Sequence, residues 1–130
     1  MNNNDPLAKL VAPDTKDVDR QKLADVLEPY VVFDQTSHKM NFEDKFYELR
    51  TNAEKIEVIL LADKARALIF NDGKKEGMSQ SEILVVEAMP EGSVKSTLKT
   101  LSDNRKILKN AEGKYYIPEY RLSKFFSKLK

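Results

Sequence analysis

The sequence contains no cysteine and only one histidine, His38, and these two shortages exclude several kinds of chemistry. Without cysteine the chain has no disulfide framework, no thiolate metal site and no cysteine nucleophile, which is consistent with a reducing cytosol. A single histidine cannot build a multi-histidine zinc site, and no carboxylate loop of the EF-hand type is present. We therefore expect no metal site and no cofactor. His38 lies in a polar loop, where we expect a solvated side chain.

Patterns typical of enzymes and of membrane proteins are also missing. The sequence has no glycine-rich phosphate loop, no nucleophile elbow and no convergent pair of carboxylates. Asp63 and Arg66 lie three residues apart in a helical pattern, which predicts a local ion pair rather than an acid and a base catalyst. No charge-free window approaches the length of a membrane span, and the first residues lack a basic segment followed by an apolar one. These features predict a cytoplasmic, non-enzymatic protein with no membrane partner.

Acidic residues are scarce in the C-terminal part of the chain. The whole chain has 22 Lys and Arg against 21 Asp and Glu, a formal net charge of +1. Residues 1–92 hold 12 basic and 18 acidic residues, net −6, whereas residues 93–130 hold 10 basic and 3 acidic residues, net +7. Such an imbalance indicates that the basic part faces a polyanion.

The chain has 130 residues, 41% of them hydrophobic, which suits one domain with one core. The part before residue 52 divides into two segments. Residues 1–15 have little periodic pattern and predict a flexible leader. Residues 16–51 predict a short helix, an extended or hairpin segment and a second short helix. The same domain or a second copy in a homodimer must cover the apolar side chains of this segment, which are Leu23, Val26, Leu27, Val31, Phe33, Phe42, Phe46 and Tyr47.

The chain from residue 52 onward predicts three helices followed by a hairpin. The first, at about 52–70, is apolar on nearly all sides, which is typical of a central helix packed on more than one face. Ser79 and Glu82 form a capping box that opens the second helix, and we expect Ser93 to cap a third that ends near Asn104.

Two short strands should follow the third helix, around a glycine-containing turn at 110–113. They are predicted at residues 107–108 and 115–117, where strand alternation would bury one of Tyr115 and Tyr116. An amphipathic pattern over residues 121–129 predicts a closing helix.

This order of helix, helix, helix and hairpin over residues 52–118 resembles a winged helix-turn-helix domain of bacterial and archaeal transcription regulators. The resemblance covers about half the chain, and its most specific parts are EGSVKSTLKTL at 91–101, RKIL at 105–108 and KYYI at 114–117. It implies a mainly α fold with a small β-hairpin wing, an N-terminal helical extension and a winged-helix domain over 52–130. In such domains the third helix, here about 93–104, enters the DNA major groove, and the hairpin, here 105–118, acts as the wing.

The side chains of the third helix are chemically suited to contact DNA, independently of the resemblance. With Val94 facing the core, Ser96, Lys99 and Asp103 lie on the opposite face at 100° per residue. Hydroxyl and ammonium groups there reach phosphates and base edges. The candidate DNA-binding residues, including flanking positions and the wing, are Ser93, Lys95, Ser96, Lys99, Thr100, Arg105, Lys106, Lys109 and Lys114.

Two features of the third helix limit its contacts with DNA, one affecting base reading and the other affecting phosphate contact. Its first turns carry no Arg, Asn or Gln, the residue types best suited to reading guanine or adenine, and Asp103 would repel phosphate unless it lies beyond the contact. We expect a protein that binds double-stranded DNA, as a transcriptional regulator or a plasmid or virus accessory factor. The alternative is a winged helix used as a protein-interaction module, since one fold serves both functions.

Overall fold

The computed structural model describes residues 6–10, 20–70, 73–86 and 88–124, and this part of the chain is mainly helical with two small antiparallel hairpins. Two short 3-10 helices, Pro6–Leu10 and Glu119–Arg121, lie near its ends. The remaining elements, in chain order, are α1 (Arg20–Leu27), β1 (Val31–Phe33), β2 (Met40–Phe42), α2 (Asp44–Tyr47), α3 (Asn52–Phe70), α4 (Gln80–Leu84), α5 (Glu91–Asp103), β3 (Leu108–Lys109) and β4 (Tyr115–Tyr116).

Helix α3 is the central element, as its sequence predicts. Every residue from Ile56 to Arg66 is buried, including four charged ones. Helices α1, α2 and α5 and strand β4 all pack against it, so the helix is covered on several sides. Among the helices that the described ranges contain, none is long and apolar enough to cross a membrane.

The segment before α3 packs on the same chain. Leu23, Val26 and Leu27 of α1 and Phe46 of α2 are buried in the common core. Strands β1 and β2 pair antiparallel, with Val31 opposite Phe42, which confirms the hairpin. A single chain thus buries most of the apolar side chains that motivated a homodimer, and the homodimer stays a prediction. Of the leader, residues 6–10 form a 3-10 helix, while residues 1–5 and 11–15 lie outside the described residues.

His38 differs from its sequence-based expectation. Its ring is half-buried and stacks on the ring of Phe70, with centroids 3.8 Å apart and planes 11° from parallel. The residue has a φ of 63° in the turn between β1 and β2, where its N–H donates to the Asp34 carbonyl at 2.9 Å. The solvated side chain was the wrong expectation, because polar neighbours in sequence carry no information about a ring 32 positions away.

Helices α4 and α5 form the predicted pair, but α5 begins earlier than expected. The Ser79 hydroxyl accepts from the Glu82 N–H at 3.2 Å and the Glu82 carboxylate accepts from the Ser79 N–H at 3.0 Å, which confirms the capping box. Pro90, not Ser93, occupies the N-cap of α5, and Ser93 is already helical. The prediction of a Ser93 cap was wrong, because Pro90 is the extended N-cap residue, with φ −62° and ψ 152°, and α5 begins directly after it.

The C-terminal hairpin pairs Leu108 with Tyr116 and Lys109 with Tyr115 around the predicted turn. The turn is held by the Asn110 side chain, which accepts the N–H groups of Glu112 and Lys114 at 2.9 and 3.0 Å. Both tyrosines are half-buried, so the expected division into one buried and one solvent-facing ring was wrong. The closing helix is described only through residue 124, and its remaining predicted residues lie outside the described part of the chain.

Candidate nucleic-acid interface

Helix α5 has one buried and one exposed face. Val94, Leu98 and Leu101 are buried against the core, and Lys95, Ser96, Lys99 and Thr100 are exposed. The 3.6-residue period of the sequence therefore places the candidate side chains on the solvent side, as predicted.

A groove of about 590 Å³ runs between the exposed face of α5, the start of α4 and the C-terminal hairpin. Its three ammonium groups come from Lys95 and Lys99 on the helix and Lys109 on β3, and its one carboxylate comes from Asp103. We call it the α5–hairpin groove, and it is lined by Gln80, Gly92, Lys95, Ser96, Lys99, Ser102, Asp103, Lys109 and Tyr115.

The groove brings together some of the predicted residues and not others. Lys95, Ser96, Lys99 and Lys109 line it, although the last of them is separated from the others by the end of the helix. The remaining candidates are not among its lining residues, and these are Ser93, Thr100, Arg105, Lys106 and Lys114. Sequence reasoning did not place Gln80 or Tyr115 beside the lysines of α5, because their position in the groove depends on how α4 and the hairpin pack.

The cations of this surface have different partners. The Lys99 ammonium lies 3.1 Å from the Asp103 carboxylate, and the Lys109 ammonium lies 5.3 Å from the centroid of the Tyr115 ring. The Lys114 ammonium lies 3.4 Å from Glu82. Lys95 forms no ion pair with any residue that the structure describes, so its charge is unopposed there.

The hydroxyls on the exposed face are engaged by the helix itself. The Ser96 hydroxyl donates to the Ser93 carbonyl at 3.3 Å, and the Thr100 hydroxyl donates to the Ser96 carbonyl at 3.1 Å. Such back-bonding to the preceding turn is common for Ser and Thr within helices. The ammonium groups therefore carry most of the capacity of this face to bind an anion.

Arg105 ends α5 in an unusual backbone conformation. Its φ is 58°, its N–H donates to the Ser102 carbonyl at 3.0 Å, and the Lys106 N–H donates to the Leu101 carbonyl at 2.9 Å. This is the Schellman pattern of a helix end, whose left-handed position is usually glycine. Arg105 is exposed at this position, and its left-handed conformation costs some backbone strain.

The loop between α3 and α4 is hydrogen-bonded both to α3 and to the C-terminal hairpin. The Gly77 N–H donates to the Asp63 carboxylate at 2.7 Å, and Met78 exchanges backbone hydrogen bonds of 2.9 and 2.8 Å with Tyr115. Gly77 has a φ of 139°, and a Cβ there would lie 3.0 Å from the Cβ of Lys114. The loop backbone at Gly77 thus lies so close to the hairpin that a Cβ there would crowd Lys114.

A buried ion pair on α3 holds this loop in place. Arg66 and Asp63 lie 3.0 Å apart, which confirms the predicted local ion pair, and Arg66 also donates to the Lys75 carbonyl at 3.1 Å. Burial raises the pKa of Asp63, while hydrogen bonds from the Gly77 N–H and from Arg66 oppose that rise.

A second cluster joins three separate chain segments. The Lys64 ammonium lies 2.9 Å from Glu76 and 3.0 Å from Glu119, and the lysine side chain is only 2% exposed. Burial raises the pKa of Glu76 to about 7, although Lys64 opposes the rise. Sequence reasoning missed this cluster because its members have no common spacing. We call it the Lys64 cluster (Lys64, Glu76 and Glu119).

Comparisons with known proteins do not assign this chain to a class. No protein-family model matches the chain, and neither does any curated protein or solved structure. Within the described ranges, no group of His, Asp and Glu side chains is arranged to hold a metal ion.

Proposed function

We propose that the protein binds double-stranded DNA as a transcriptional regulator or a plasmid or virus accessory factor. Helix α5 would lie in the major groove and the C-terminal hairpin would act as the wing, as in winged helix-turn-helix domains. The observation that carries the proposal is the α5–hairpin groove, in which Lys95, Lys99 and Lys109 from two elements face one space.

The placement of the hairpin supports this proposal. Met78, which lies between α3 and α4, forms an isolated antiparallel bridge with Tyr115, so the hairpin is tied to the segment that leads into α4. A wing must be held in this way to contact the DNA backbone while the helix contacts the groove. The excess of basic residues after residue 92 supplies the long-range attraction that phosphate binding needs.

The proposal is tested with a double variant of α5. Lys95→Glu with Lys99→Glu should weaken binding to a random duplex by more than about tenfold at low salt, because two attractive charges become repulsive. Thermal unfolding should change little, since exposed substitutions shift stability by about 0.5 kcal/mol or less. Fluorescence anisotropy with a labelled 20-base-pair duplex, measured over a range of salt concentrations, gives both affinity and salt slope.

A matched control reverses the charge of two lysines in another part of the molecule. Lys39→Glu with Lys45→Glu alters two exposed lysines on β1–β2 and α2, and this variant should keep most of the affinity. Lys114→Ala should reduce binding to all duplexes about equally and flatten the salt slope by about one unit. An equal loss in both double variants would place binding outside α5. Absence of binding by the unaltered chain at low salt would instead favour a protein-interaction module.

A further inference from the structure

The α5–hairpin groove contains a carboxylate in a place where DNA binding would not require one. Among the described residues that line the groove, Asp103 is the only acid. Its carboxylate lies 3.1 Å from the ammonium of Lys99, one turn earlier on α5. The Asp103 charge therefore neutralises one of the cations that face the same space.

Helix stability does not explain this carboxylate. Asp103 is the last residue of α5, where the negative end of the helix dipole disfavours an acidic side chain. The order of the pair, with Lys99 before Asp103, is also the weaker orientation of an i,i+4 ion pair. Both side chains are well exposed, 78% for Lys99 and 66% for Asp103, so the pair adds little to folding.

The same pair has a direct consequence for a bound anion. A phosphate that approaches Lys99 must compete with Asp103 for the ammonium, and it then lies within a few ångströms of a like charge. At about 0.15 M salt the screening length is about 8 Å, so this repulsion is only partly screened.

We propose that Asp103 is an affinity-limiting residue that weakens sequence-independent DNA binding by holding Lys99 and repelling phosphate. The inference rests on the proposed function, since it concerns the same groove. Non-specific affinity comes almost entirely from phosphate contacts, whereas specific affinity also comes from base contacts. Neutralising one phosphate-binding cation therefore weakens the kind of contact on which almost all of the affinity for a random duplex depends.

The test replaces the carboxylate in two ways. Asp103→Asn and Asp103→Ala should each tighten binding to a random 20-base-pair duplex by about threefold to tenfold at 0.1 M salt. The slope of log affinity against log salt should become steeper by about one unit, since one more phosphate contact releases about one more counterion. The alanine variant excludes a gain from new hydrogen bonds of the asparagine amide.

Two further variants serve as controls. Glu48→Gln makes the same change in net charge on an exposed residue just after α2, far from the groove in sequence, and should leave affinity nearly unchanged. Asp103→Ala placed on a Lys99→Ala background should give a smaller gain than in the unaltered chain, because there is no longer a lysine to release.

The outcomes separate this inference from the proposed function. If Lys95→Glu with Lys99→Glu weakens duplex binding by more than about tenfold but neither Asp103 variant tightens it, the inference is overturned and the proposed function stands. A gain equal to that of Glu48→Gln also overturns it, because net charge alone then explains the effect. No binding by any variant overturns both. An unchanged or raised thermal midpoint in the Asp103 variants supports a role in binding over one in folding.

Discussion

Lys64 and Lys99 are both held by carboxylates at nearly the same distance, yet their surroundings differ in every other respect. Lys64 is buried on α3 and contacts two acids, at 2.9 and 3.0 Å, whereas Lys99 is exposed on α5 and contacts one acid at 3.1 Å. The free energy of an ion pair depends on how much water its members have lost. Distance alone therefore does not show which pair supports the fold and which is available to a partner.

The two regions also differ in what they connect. The Lys64 cluster joins α3 to the loop before α4 and to the 3-10 helix at Glu119–Arg121, and its members lie 12 and 55 residues from Lys64. The Lys99–Asp103 pair lies within a single turn of one helix. The first arrangement constrains tertiary structure, and the second leaves its cation exposed to other anions.

The largest expected effect comes from replacing each lysine with methionine. Lys64→Met should lower the free energy of unfolding by about 3–5 kcal/mol, because it leaves Glu76 and Glu119 in the cluster without their cation. Lys99→Met should change it by about 0.5 kcal/mol or less. Urea unfolding followed by circular dichroism measures both. Similar losses in the two variants would show that burial does not separate the pairs as we propose.

A smaller effect is expected from pH, through Glu76. Its pKa rises from 4.5 to about 7 on folding, so the folded protein binds the proton more tightly. Stability from this group is present below pH 4.5 and is lost as the pH rises through about 7. Lowering the pH from 8 to 5.5 should therefore stabilise the protein by about 2 kcal/mol.

Urea unfolding at a series of pH values checks this expectation, with Glu76→Gln as the control. The variant should lose most of the pH dependence between 8 and 5.5, because its side chain is neutral throughout. Burial raises the pKa of Asp63 as well, so the variant should keep a small pH dependence of stability with the same sign. The carboxyls with lowered pKa, Glu82 and Asp34, affect stability only at lower pH. A wild-type stability that rises with pH across this window would contradict the prediction.

The smallest expected effect comes from replacing Arg105, which should raise stability and weaken DNA binding. Arg105→Gly should raise the free energy of unfolding by about 0.5–1 kcal/mol, because glycine adopts the left-handed conformation at the end of α5 without strain. The same change should weaken duplex binding a few-fold by removing a cation. Arg105→Ala is the matched control, since it removes the charge but keeps the Cβ. It should weaken binding equally and give no stability gain; a gain in both variants would remove backbone strain as the cause.

Local patterns in the sequence predicted much of the fold but less of the candidate site. The bounds of α3 and the Ser79–Glu82 capping box follow from periodicity and from hydrogen bonds over three residues, and both predictions are confirmed. The prediction of a Ser93 cap was wrong, because α5 begins at Glu91 with Pro90 as its N-cap residue. The sequence identified Lys95 and Lys99 as exposed, but not Gln80 or Tyr115 as their neighbours in the groove.

The sequence by itself determined the order and type of the α-helices and strands, the exposed face of α5 and the concentration of positive charge after residue 92. These depend on spacing along the chain, which helix and strand geometry convert directly into faces. Only the tertiary structure decided that Lys64 meets Glu76 and Glu119, that His38 stacks on Phe70 and that Lys109 joins the cations of α5. Such contacts depend on how distant segments pack together in the core, and no spacing in the sequence encodes that packing.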